Sequence, residues 1–167
     1  METAYRPELW REAFIMLGGA SAALAGLIIV AVSVRADQLT HVPHLWMRGR
    51  NNTMSMISLT VASLLLLFPQ PPMWAGAEMA ILNLLSGLIL PGPVVYYHLR
   101  HRTDVSIRVP LIALLLYGAA AAGGVSIILE KGGGLVWIAG AYAIYLFLAP
   151  YNAYLLLMPH KGTEPSG

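Results

Sequence analysis

Two short clusters carry the residues best suited to chemistry. Asp37, His41 and His44 form the first, and His98, His101 and Asp104 the second. Histidines three positions apart meet on one face of a helix. Two such pairs with carboxylates supply the donor types of a divalent-metal site. Arg48, Arg50, Arg100, Arg102 and Arg108 are interleaved with them, and their field opposes a cation. Few carboxylates remain to orient the imidazoles as a metal site requires. The same residues also suit an interfacial anchor, with imidazoles and guanidiniums at helix C-termini beside anionic head groups. A third reading is direct binding of an anion or lipid phosphate by the five arginines. The anchor reading needs no further ligand and is preferred.

No residue is assigned a catalytic role, so the chain leans away from being an enzyme. It contains no cysteine, hence no thiolate nucleophile, disulfide or thiolate metal site. Ser55, Ser58 and Ser63 stand among Met and Leu without a nearby base, which a nucleophilic serine needs. Nucleophile-elbow, zinc-protease, phosphate-loop and dinucleotide signatures are absent, and no cofactor is expected.

Glu78, Asn83 and Asn152 are the polar residues of interest inside oily sequence. Such a carboxylate or amide is a transport candidate by default. Glu78 lies one turn from a span end, where water or Lys131 would satisfy it, and Asn83 and Ser86 lie deeper. Asn152 and Tyr145 flank Pro150, whose missing N–H frees a backbone carbonyl that either side chain can serve. The other spans hold no Asp, Glu, Lys or Arg in their interiors, which argues against a proton pump, an ion-coupled carrier or a voltage sensor.

These residues must be positioned by membrane helices. The chain has 167 residues, 57% hydrophobic and 11% charged, against about 25% charged in a soluble domain. Apolar segments at 13–34, 53–68, 75–97, 109–129 and 135–158 predict an all-α bundle of five transmembrane helices. Four of them exceed the roughly 20 residues needed to cross. Residues 1–12 read as an interfacial segment and 159–167 as a flexible tail. The first apolar stretch is too long for the core of a signal peptide and reads as an uncleaved span. Residues 35–52 form the longest connection, broken by Pro43, and Pro69, Pro71 and Pro72 close a tight turn. The second span is the shortest, and losing it would invert everything downstream.

Basic residues then divide seven to three. Arg35, Arg48, Arg50, Arg100, Arg102, Arg108 and Lys161 face Arg6, Arg11 and Lys131. The excess predicts a cytoplasmic C-terminus and an external N-terminus. A formal charge of +2 is too mild to imply nucleic acid, so the lipid bilayer is the expected partner. Small residues recur every fourth position at Gly18, Ala22 and Gly26, and again at Gly118, Ala122 and Ser126. Such stripes serve close packing within the bundle, or a homo-oligomer.

The stretches GASAALAGL (19–27), Ser33 through Gln38, Val42-Pro43 and LLLLFPQ (64–70) resemble a group of small bacterial membrane proteins loosely labelled modulator of FtsH protease. The resemblance covers about the first 100 residues. It implies a bacterial inner-membrane location, a five-helix layout and a partner protein, and brings no catalytic residues. The expected function is a non-enzymatic accessory or regulatory membrane protein. The alternatives are an oligomeric channel or small-solute transporter, and a membrane enzyme using the histidines on a lipid substrate.

Overall fold

The computed structural model describes residues 5–34, 43–101 and 107–157, and among them every regular element is a helix. A 3-10 turn, Pro7–Trp10, leads into α1 (Arg11–Val34). Then follow α2 (Pro43–Leu65), α3 (Pro72–Ile89), α4 (Gly92–His101), α5 (Arg108–Leu129) and α6 (Gly134–Leu157). Four helices are long and apolar enough to cross a membrane: α1 with its leading turn, α3, α5 and α6.

The surface reverses the pattern of a soluble domain. Large apolar side chains such as Leu27, Leu84, Leu115 and Phe147 are exposed, while Ser21, Ser55, Ser63 and Asn83 are buried. α2 shows this most sharply. Met54, Ile57, Val61 and Leu64 form an outer stripe at helical spacing, 39–53% exposed. The face behind them carries Asn52, Thr53, Ser55, Met56, Leu59 and Ser63, all buried. From Asn52 onward its hydropathy is diluted by inward polar residues; Arg50, one turn before Met54, is exposed.

Packing follows from where glycine lets backbones meet. A Cβ on Gly124 of α5 would stand 2.5 Å from the Ala80 nitrogen and 2.6 Å from the Gly76 carbonyl oxygen on α3. On α5, Gly123 sits as closely against Ile138 and the Gly134 carbonyl at the head of α6. α1 pairs with α2 through Gly18, whose Cβ would lie 3.0 Å from the Ser63 Cβ, and through Thr60, which donates to the Ser21 hydroxyl at 3.1 Å. α6 contacts α1, α2 and α5, joining the α1–α2 pair to the α3–α5 pair.

Several helix bounds differ from the sequence expectation. α2 begins at Pro43, ten residues before the expected span and inside the expected connection. Proline in a first turn loses no helical hydrogen bond, since that N–H has no partner there. The third segment is two helices, interrupted where the sequence places Pro91 and Pro93, which cannot continue α3. The Leu90 carbonyl left at the break accepts from Asn51 Nδ2 at 2.8 Å. Of the anticipated stripes, Gly18 packs inside the bundle, whereas a Cβ on Gly19, Gly26 or Gly118 would meet nothing within 4 Å. The neighbours Gly123 and Gly124, not Gly118 and Ala122, form the packed face of α5.

Candidate functional site

The two ends of the bundle are chemically distinct. At one end the Gly133 amide donates to the Tyr5 hydroxyl at 3.1 Å, tying the N-terminal turn to the α5–α6 connection. That connection is tight, with Glu130 left-handed at φ 51° and Gly132 and Gly133 at 86° and 99°. The Ser126 hydroxyl braces it by donating to the Lys131 carbonyl and accepting from the Gly134 amide. The α2–α3 turn lies at this end, where Gln70 Nε2 donates to Glu78 at 2.9 Å and to the Leu65 carbonyl at 3.2 Å. Gln70 is therefore the side-chain partner found for Glu78, rather than Lys131. All four described carboxylates, Glu8, Glu12, Glu78 and Glu130, belong to this end.

Between the ends lies a polar interior held by side chains. Tyr142 donates to Asn83 Oδ1 at 3.1 Å, and Asn83 Nδ2 donates to the Met79 carbonyl at 2.8 Å. The Ser58 and Ser86 hydroxyls are 2.7 Å apart. Tyr117 stacks obliquely on Tyr145, their ring centres 5.7 Å apart, and the Tyr117 hydroxyl is buried without a hydrogen-bond partner. These groups link α2, α3, α5 and α6. Apart from the Tyr117 hydroxyl, they are occupied with one another.

The opposite end contains the candidate site. Arg48 of α2 and Arg108 at the head of α5 line one groove of about 410 Å³, with Tyr151 and Asn152 from the end of α6. Its other walls are Val109, Ile112, Ala113, Leu116, Leu148 and Tyr145. Asn152 Oδ1 accepts from Arg48 at 3.4 Å. One turn along α2, Asn52 donates to the Ala149 carbonyl at 3.3 Å, which fixes α2 against the Pro150 region of α6. The carbonyl that Pro150 frees is that of Leu146, four residues earlier, so the Asn52 bond to Ala149 is an additional tie and not the service expected of Tyr145 or Asn152. Partial burial pulls the Arg48 guanidinium below its ordinary pKa, against the opposing influence of Tyr151. No described carboxylate lies at this end to neutralise it.

Of the remaining predicted residues, Arg50 bonds the adjacent Asn51 and Arg100 reaches the Tyr96 hydroxyl, and neither lines the groove. Asp37, His41, Arg102 and Asp104 lie outside the described residues. His44 falls in the first turn of α2, and His98 and His101 in the last turn of α4. Among the described residues no three His, Asp or Glu side chains gather as metal ligands. Glu78, Asn83 and Asn152 stand at three different levels of the bundle. Sequence reasoning missed Asn51, Asn52 and Tyr142. A helical reading of α2 could have found the asparagines, since polar side chains from Asn52 to Ser63 share one face. Comparison with family models, curated proteins and solved structures finds no match.

Proposed function

We propose that this chain is a non-enzymatic accessory or regulatory protein of the bacterial inner membrane. It crosses five times, with its N-terminus outside and its C-terminus in the cytoplasm. The observation that carries this reading is the segregation of charge. Among the described residues, Arg48, Arg50, Arg100 and Arg108 gather at one end, while at the other Arg6, Arg11 and Lys131 are offset by four carboxylates, a bias in line with basic cytoplasmic anchoring. α2 supplies the fifth crossing because its lipid-facing stripe is wholly apolar. The accessory role is supported by the interior, where Asn83, Tyr142, Ser58 and Ser86 hold helices together, and by a basic, partly exposed surface at α4.

The chain has no cysteine, so single cysteines report sidedness cleanly. A membrane-impermeant maleimide on intact cells should label Leu9→Cys and Phe68→Cys, and should reach Met47→Cys only after lysis. Labelling of Met47→Cys and Phe68→Cys from one side would remove the α2 crossing. For the role itself, a photo-crosslinker at exposed Leu99 should give one discrete adduct with a membrane protein at native abundance. No adduct, together with solute flux from the purified chain in liposomes, would replace this reading with a transporter.

A further inference from the structure

We propose that the groove between α2, α5 and α6 is a binding site for the head group of an anionic phospholipid. Arg48 and Arg108 take the phosphate, and the upper acyl chain lies along Ile112, Leu116 and Leu148. Three observations carry it. The two guanidiniums reach one groove from helices far apart in sequence, and no described carboxylate at that end competes for them. Guanidinium forks match phosphate oxygens in pairs, with Asn152 and Tyr151 positioned as further polar contacts. The other walls, Tyr145 apart, are hydrocarbon, so the site suits an anion bearing an oily tail rather than a free one. At about 410 Å³ it lies in the range of small-molecule sites yet cannot enclose a whole phospholipid. The remaining chains therefore stay in the surrounding leaflet, against the exposed apolar surface beside Ile112.

The inference rests on the membrane reading above and not on the accessory role. The full chain, purified in detergent, is titrated with phosphatidylglycerol, phosphatidylcholine and inorganic phosphate while thermal unfolding and retained lipid are measured. Phosphatidylglycerol alone should raise Tm, as selective binding to the folded state must. Arg108→Gln should cut retained anionic lipid by about tenfold, since it removes a charged hydrogen bond to phosphate, and Ile112→Trp should block the wall with the same result. The double variant Arg50→Gln/Arg100→Gln, altered at the same end but outside the groove, should behave as the parent. Arg48 also bonds Asn152, so Arg108→Gln, at an exposed residue, decides the matter if Arg48→Gln does not fold. An equal Tm rise with inorganic phosphate would make this a free-anion site and overturn the lipid. Equal loss in the Arg50/Arg100 variant would reduce it to general surface charge. Correct labelling of Leu9→Cys, Phe68→Cys and Met47→Cys without lipid selectivity would sink the groove and leave the topology standing.

Discussion

Gly118 and Gly124 are six residues apart on α5, and an added methyl group has opposite consequences at the two. At Gly124 it would press on the Ala80 and Gly76 backbones, which no side-chain rotation relieves. Gly124→Ala should cost about 1–3 kcal/mol through forced separation of α3 and α5. Gly118→Ala meets open space and should be neutral or stabilise by up to about 1 kcal/mol. Thermal unfolding of the two variants in one detergent checks the pair. The sequence disclosed that α5 packs closely but not which glycines do so. Residues 118–126 are small at most positions, so a four-residue spacing fits more than one face. Only the position of α3 selects among them.

Helices here are joined by few, specific polar bonds, and their loss should be modest. Tyr142→Phe removes the bond to Asn83 between α3 and α6 and should cost about 0.6 kcal/mol, up to about 1.7, read from denaturant midpoints. The lipid-facing stripe of α2 makes a sharper test. Val61→Lys should cost about 2.5–3.5 kcal/mol of insertion if that position lies near the bilayer centre, whereas Ser63→Ala, on the buried face, should insert normally. A membrane-insertion reporter carrying α2 distinguishes them. The break after α3 was legible in Pro91 and Pro93. The start of α2 was not, although the same property of proline is at work. A residue that ends one helix opens another, and sequence alone does not say which side of Pro43 carries the helix. The polar run through Asn51 and Asn52 hid the helix further, because its partners lie on α3 and α6.

At the scale of the whole molecule, the alternation of basic and poorly basic connections foreshadowed the charge segregation between the two ends. The groove was not foreshadowed. Arg48 and Arg108 stood among five equivalent arginines, and nothing in their spacing separates them from Arg50 and Arg100. Their shared groove depends on α6, which packs on α5 and is held to α2 through Asn152 and Ala149. If the basic end sets orientation, combined Arg48→Glu, Arg50→Glu and Arg108→Glu substitution should weaken it. A fraction of Met47→Cys should then become accessible from outside intact cells, and an unchanged labelling pattern would assign orientation to the remaining basic residues.

The tie from Asn52 to Ala149 also has a consequence in time. A ribosome makes the donor nearly a hundred residues before the acceptor, so a nascent chain holds an amide that no finished neighbour can satisfy. Chains stopped short of Ala149 should be recognised as unfinished and cleared by quality-control proteolysis. α6 is thus the helix that certifies α2 as complete.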